Sequence, residues 1–191
     1  MITTHGGSVM KFEFTTERLR LKVLTEDAAP MVLNFYKNNA DIFEKYEPIN
    51  GDDFYSLKRQ QKILEYEYQY ILKLSMIRYW IFEKNNPNKI IGTVSFRNIL
   101  RPIYQSCTIG YKMDRDYMNR GYCSEAIKAA IPQIANELGI HRFEALILPD
   151  NAPSIHMVQK LGFQYEGILR DKIIINGKRL DHCMYAYLCD N

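Results

Sequence analysis

The sequence has no charge-free apolar run near the roughly 18 residues that a membrane span requires. Glycine and proline are sparse, 10 and 7 among 191 residues, which excludes collagen-like and low-complexity chains. Cysteine is limited to Cys107, Cys123, Cys183 and Cys189. No pair has C-x-x-C spacing and no Cys/His cluster has zinc spacing, so free thiols and no metal are expected. An excess of one charge is also missing. Lys and Arg number 25 against 22 Asp and Glu, the net charge is +3, and no basic block stands out. That balance argues against nucleic acid as a partner. What is present is 47% hydrophobic and 25% charged residues, a composition that excludes disorder.

The first residues lack the basic start and apolar core of a signal peptide, which points to a cytoplasmic protein. Residues 1–10, with Gly6, Gly7 and Ser8, read as a flexible leader. Residues 11–191 read as one domain, of a size that buries roughly 70% of its unfolded surface.

Leu19, Leu21 and Val23 alternate with Arg18, Arg20 and Lys22, the pattern of a half-buried strand. Thr25, followed by Glu26 and Asp27, predicts the start of a helix running to about Asn38. Ile42 to Gly51 reads as a loop. A long helix is expected after Asp52 and Asp53, with Phe54, Leu57, Leu64, Tyr68, Ile71 and Leu72 on its apolar face. Strands are expected at Arg78–Glu83, Lys89–Arg97, Gln105–Met113 and His141–Leu148. Gly121 to Leu138 reads as a helix closed by Gly139, with Pro132 inside it. Asn151 caps a short helix ending at Leu161-Gly162, and Asn176-Gly177 is a type I′ turn signal inside a final hairpin. The order is β-α-α-β-β-β-α-β-α-β-β.

Two stretches carry chemistry. In Tyr111–Ala126 a strand runs through a short loop into a helix opened by Gly121, with Arg115 and Arg120 nearby. Helix-start N–H groups lack internal partners, and glycine lets an anion approach them closely. In Leu148–Arg170, Asn151 and Ser154 flank a helix start and Lys160-Leu161-Gly162-Phe163 ends it. A single glycine and no G-K-[ST] exclude a dinucleotide fingerprint and a P-loop.

Taken in order, these stretches resemble the GNAT superfamily of acetyl-CoA-dependent N-acetyltransferases, and more narrowly its RimJ/RimL branch, which acetylates ribosomal-protein N-termini. The resemblance runs from Thr16-Glu17-Arg18-Leu19-Arg20-Leu21 to Tyr187. It passes through Ile91-Gly92-Thr93-Val94, Ile109-Gly110-Tyr111, Arg120-Gly121-Tyr122-Cys123-Ser124-Glu125-Ala126, Asn151-x-x-Ser154 and Glu166-Gly167. The sequence departs from the superfamily at Met118, where Gln or Arg is common, at Cys123, often a small residue, and at Val158, where many members carry a Tyr acid. The implied fold is α+β: a central mixed, mostly antiparallel sheet of about seven strands with about four flanking helices.

The resemblance implies acetyl transfer from the acetyl-CoA thioester to a primary amine in a ternary complex, with no metal. Backbone N–H groups of Asn119, Arg120, Gly121, Tyr122, Cys123 and Ser124, following Met118, would hold the pyrophosphate. Tyr111, Lys112 and Met113 would hold the pantetheine and carbonyl. Asn151 would orient the pantetheine arm, Lys160 belongs to the same cofactor surface, and Ser154 is the candidate donor at the sulfur. Such chemistry needs a neutral amine, donors for the oxyanion and a proton or hydrogen bond for the thiolate. Glu47 and Glu144 are candidate bases, with Glu166, His141 and His156 also weighed. Phe43–Pro48 and Asp171–Asp181 would wall the acceptor, and the acids Glu44 and Glu47 would suit a cationic amine or a basic N-terminal peptide. The acceptor remains open between a protein N-terminus and a small-molecule amine such as a polyamine, an aminoglycoside or an amino acid. A catalytically silent acyl-CoA-binding module is the third reading, and monomer and homodimer both stay open.

Overall fold

The computed structural model describes residues 10–47, 51 and 53–189. Its elements are β1 (Glu13–Thr15), β2 (Leu19–Lys22), α1 (Ala29–Asn38), α2 (Ala40–Phe43), α3 (Leu57–Leu72), β3 (Ile77–Glu83), β4 (Gly92–Leu100), β5 (Ser106–Met113), α4 (Tyr122–Leu138), β6 (Arg142–Ile147), α5 (Ala152–Lys160), β7 (Gln164–Ile175) and β8 (Lys178–Leu188). One eight-stranded sheet runs β1-β2-β3-β4-β5-β6-β8-β7. Every neighbouring pair is antiparallel except β5 and β6. The expected mixed, mostly antiparallel sheet is therefore present. The strand beyond the expected seven is β1, too short at three residues to show a period.

Alternation along the strands divides the core into two layers. Tyr79 and Ile81 of β3, with Val94 and Phe96 of β4, pack under Ala126, Ile127, Ala130, Ile134 and Leu138 of α4 and Val158 of α5. Trp80 and Phe82 face the other way, onto Val32, Phe35 and Tyr36 of α1 and Leu64 of α3. Trp80 is 1% exposed and meets the rings of Phe35 and Tyr36 edge-on at 5.8 and 6.1 Å. Burying one such large side chain stabilises the fold by roughly 2–3 kcal/mol.

Several boundaries differ from expectation. Glu26–Ala28 is a 3-10 turn, and α1 begins at Ala29 because Pro30 occupies its first turn, where a missing N–H costs nothing. The Thr25 side chain makes no cap bond. Ser56 is the cap of α3, its hydroxyl accepting the Arg59 N–H, so that helix starts at Leu57. Leu57 and Leu72 lie outside its buried stripe. The one-turn α2, Ala40–Phe43, takes in Ile42 and Phe43, the first residues of the expected loop. The hairpin turn is as expected, with φ of 50° at Asn176 and 76° at Gly177. The expected leader lies outside the described residues except for Met10, which is buried in the core. Pro48 and Asp52 also lie outside them.

Candidate active site

β5 and β6 pair only over Ser106–Arg142, Cys107–Phe143 and Thr108–Glu144. Beyond that point β5 stays paired with β4 as far as Gly92–Met113, and β6 with β8 as far as Ile147–Cys183. The two strands thus part company, and the sheet forks. Backbone groups of Ile109 to Met113 on the fork side have no strand partner there. Buried backbone donors and acceptors need partners, so the fork is a slot for an extended ligand carrying its own amides. Tyr111 and Met113, named from the sequence, lie along it.

The end of β5 leads to the start of α4. Asp114 is buried, accepts the Asp116 N–H at 3.0 Å and lies against buried Asn39. Asn39 in turn accepts the Arg115 N–H at 2.9 Å. The loop then reverses through two left-handed residues, Asn119 (φ 59°) and Gly121 (φ 77°). Such a φ is strained for any residue with a Cβ, which is why glycine stands at position 121. The first helical bond is from the Glu125 N–H to the Gly121 carbonyl, 3.0 Å. The N–H groups of Tyr122, Cys123 and Ser124 therefore emerge from the positive end of a 17-residue helix.

Glu125 fixes this helix start. Its carboxylate accepts the Thr16 hydroxyl, the Arg18 N–H at 3.0 Å and Arg18 Nε at 2.6 Å. Arg18 also donates to the Arg120 carbonyl at 3.1 Å and lies over the Tyr122 ring at 4.5 Å. Burial works to raise the Glu125 pKa, but the bonds from Thr16 and Arg18 outweigh it and hold the carboxyl below its ordinary value. Two motifs 107 residues apart thus form one latch. Sequence reasoning saw both motifs but not their contact.

Among the other residues named from the sequence, Asn151 caps α5, its Oδ1 accepting the Ser154 N–H at 3.3 Å. The Tyr111 hydroxyl is buried, faces Ser154 and Cys123, and has no partner in hydrogen-bonding geometry. Burial pushes its pKa up, so it is a neutral O–H at physiological pH. Burial also pushes the Cys123 thiol up to about 12, which leaves it protonated. Val158 is fully buried in the core, a packing role. Met118 packs against the same core. Lys160, Arg120 and His156 are exposed. Arg115 pairs with Asp41 of α2 and is not free for an anion at the helix start.

The opposite face of β3, β4 and β5 carries a shallow cleft enclosing about 20 Å³, lined by Glu47, Arg78, Thr93, Ser95, Arg97, Gly110, Tyr111 and Lys112. The side chain of Lys112 points here, away from the helix start, and pairs with Glu47 at 2.8 Å. Buried Arg78 pairs with Glu67 at 3.0 Å and donates to the Tyr36 hydroxyl at 3.2 Å. Of the acidic wall expected at 43–48, Glu47 is paired with Lys112, while Glu44 accepts the Tyr55 hydroxyl, a neutral donor that offsets no charge. On β6, Glu144 and Glu166 share Arg142, which bonds Glu144 at 2.7 Å and Glu166 through both its Nη atoms. Arg142 holds the Glu166 carboxyl below its ordinary value, the wrong direction for a base. Glu144 sits at the last paired position before the fork, and Glu47 at the cleft, so the two candidate bases occupy different places. Among the described residues no group of three or more His, Cys, Asp and Glu could hold a metal ion, and no helix is long and apolar enough to cross a membrane.

A forked sheet with an open helix start beside it and a polar cleft on the other face is the architecture of an acyl-transferring enzyme. Residues 18–164 match the model of the acetyltransferase (GNAT) domain, and the chain belongs to that family. It is similar to the probable N-acetyltransferase YjcK of Bacillus subtilis (strain 168), 35% identical over 157 residues, covering 82% of this chain and 86% of that one. It is also similar to the ribosomal protein uS5-alanine N-acetyltransferase of Escherichia coli (strain K12), 27% identical over 182 residues, covering 95% and 93%. The crystal structure of the ribosomal-protein-S5-alanine acetyltransferase from Vibrio fischeri superposes with a TM-score of 0.87 at 25% identity, covering 95% and 98%.

Proposed function

We propose that the protein transfers an acetyl group from acetyl-CoA to the α-amine of a protein N-terminus. The fork beside the α4 start carries the acyl-transfer half of this reading. It offers unpaired strand amides for a pantetheine arm and, next to them, helix-start N–H groups for a pyrophosphate. Acetyl-CoA supplies the acetyl group as a thioester. The backbone from Asn119 to Ser124 binds its phosphates, and the Gly121 φ keeps that surface open. Lys160 at the end of α5 adds positive charge to the same surface. Asn151 sets the start of α5 and so the position of Ser154.

In the reaction the amine nitrogen bonds the acetyl carbon and the carbon–sulfur bond breaks. One proton leaves the nitrogen, and the sulfur leaves as a thiolate. Ser154 and Tyr111, two neutral hydroxyls facing each other at the fork, supply the hydrogen bond and relay for that sulfur. The amine proton passes to water, with Glu47 at the cleft and Glu144 at the base of the fork as the carboxylates placed to receive it.

The candidate carboxylates are all engaged by cations. That suits an acceptor needing little help to lose its proton. A protein α-amine, with a pKa near 7.7–8.0, is roughly a third neutral at pH 7.5, whereas a lysine or polyamine nitrogen near 10.4 is roughly 0.1% neutral. The similarity to uS5-alanine N-acetyltransferases over nearly the whole chain supports the same acceptor class.

The test follows coenzyme A release on peptides with a free α-amine, the same peptides α-blocked but carrying lysine, polyamines and aminoglycosides. Release is expected with free α-amines. Release confined to polyamines or aminoglycosides moves the function to small molecules. Binding of acetyl-CoA with no release on any acceptor makes the chain a silent acyl-CoA-binding module.

A further inference from the structure

The cleft on the acceptor side has more donors than its own residues can use. Arg97 stands out. The absence of a side chain at Gly110 lets its guanidinium lie flat on β5, for a Cβ there would stand 3.0 Å from Arg97 Nη2 and 3.1 Å from Ser95 Oγ. Arg97 has no ion-pair or hydrogen-bond partner among the described residues. Arg78 Nε, from a residue lining the same cleft, is buried without a partner among the described residues. The Ser95 and Thr93 hydroxyls donate to the carbonyls of Gly110 and Tyr79, so each leaves only acceptor lone pairs to the cleft and the free donors are those of the arginines.

The charges agree with the donors. Arg78 is matched by Glu67 and Lys112 by Glu47, so with Arg97 the group carries one positive charge more than its acids. Partial desolvation and the neighbouring Arg78 charge push the Arg97 pKa down, against Glu47 and Glu67, which push it up. Arg97 as a residue stays exposed at the cleft, so its donors face water until an acceptor replaces it, and a carboxylate meets several at once. The enclosed space in the cleft, about 20 Å³, is far below the roughly 300–1,000 Å³ that encloses a drug-sized ligand, so it takes one small group of an acceptor rather than the whole.

We propose that this cleft selects an amine acceptor that also carries a carboxylate, and that Arg97 is the residue that binds it. The inference rests on the acetyl-transfer reading above and replaces the basic peptide that the acidic residues of 43–48 suggested. The carboxylate is either an acidic side chain near the peptide N-terminus or the α-carboxylate of a free amino acid.

The experiment uses neutral N-terminal peptides with Glu placed at the second, third or fourth residue, each matched with Gln, and free alanine against alaninamide. At one position the Glu peptide is expected to exceed its Gln match by about 20-fold in kcat/KM. Arg97→Gln should cut that ratio below about threefold, and Arg97→Lys should keep part of it. A preference appearing only for alanine over alaninamide keeps the carboxylate and assigns it to a free amino acid. Equal rates for acid and amide forms, a preference for Lys peptides, or a preference that survives Arg97→Gln overturns the proposal. Calorimetric titration of the Glu and Gln peptides into the chain with coenzyme A reads the same preference without turnover. Preference without turnover sinks the reaction and spares Arg97; turnover without preference does the reverse.

Discussion

Replacing Glu125 by alanine tests whether the latch at the start of α4 sets both stability and cofactor affinity. The carboxylate takes three hydrogen bonds, from the Thr16 hydroxyl, the Arg18 N–H and the Arg18 guanidinium. The guanidinium is 43% exposed, so water screens it and it is left out of the magnitude. The other two reach a charged, mostly buried acceptor, and their loss strands two donors. Together they are worth about 2–3 kcal/mol, which lowers Tm by about 5–10 °C in a chain of this size. The second effect is local. Without Glu125, Arg18 loses the anchor from which it holds the Arg120 carbonyl and covers Tyr122. The Asn119–Ser124 backbone then loosens, and acetyl-CoA affinity should fall about 5- to 10-fold. Differential scanning calorimetry and a binding titration read the two effects on one preparation. A Tm within about 2 °C of wild type together with unchanged affinity would refute the reasoning and reduce the latch to a solvated ion pair.

Ser154→Ala should lower kcat by about tenfold or more while acetyl-CoA affinity changes less than about threefold, measured by steady-state kinetics beside a titration. The reverse pattern would make Ser154 a binding or capping residue. Acid should destabilise the fold in a defined window. The carboxyls of Glu13, Glu125 and Glu166 are held below their ordinary value, by Arg20, by Thr16 and Arg18 against burial, and by Arg142. The unfolded chain therefore binds more protons, so this stability is complete above about pH 4.5 and is lost as pH falls through the depressed values. Thermal melts from pH 7 to 3 should show Tm falling below about pH 4.5, with a shallower fall in Glu125→Gln. A Tm that holds or rises over that range would contradict the assignment.

Much of the architecture is legible in the chain because its signals are local. Leu19, Leu21 and Val23 alternate, Gly139 adopts the left-handed cap, and Asn176-Gly177 adopts the turn its side chains favour. The misplacements also have local causes. Pro30 outcompetes Thr25 as the helix-start signal, and Ser56 outcompetes the two acids before it. The Asn39–Asp114 contact and the Arg18–Glu125 latch leave no trace in a sequence window, since each joins residues far apart in the chain. The cleft was partly within reach. Thr93, Ser95 and Arg97 alternate with Val94 and Phe96, which marks a polar inner face on a strand between two apolar layers. What alternation cannot reveal is that Lys112 reaches Glu47 and so offsets one of the two acids of that loop.

The central claim is that the α4 start and the neighbouring fork bind acetyl-CoA. Calorimetric titration of acetyl-CoA into the wild-type chain and into Gly121→Glu tests it most directly. Glutamate at 121 puts a Cβ into a left-handed position and a carboxylate where the phosphates should lie, next to Arg18. The account predicts saturable binding to the wild type at one site per chain, and at least a tenfold loss in a variant that still melts cooperatively. No binding by the wild type, or a change under about threefold in the variant, would contradict it.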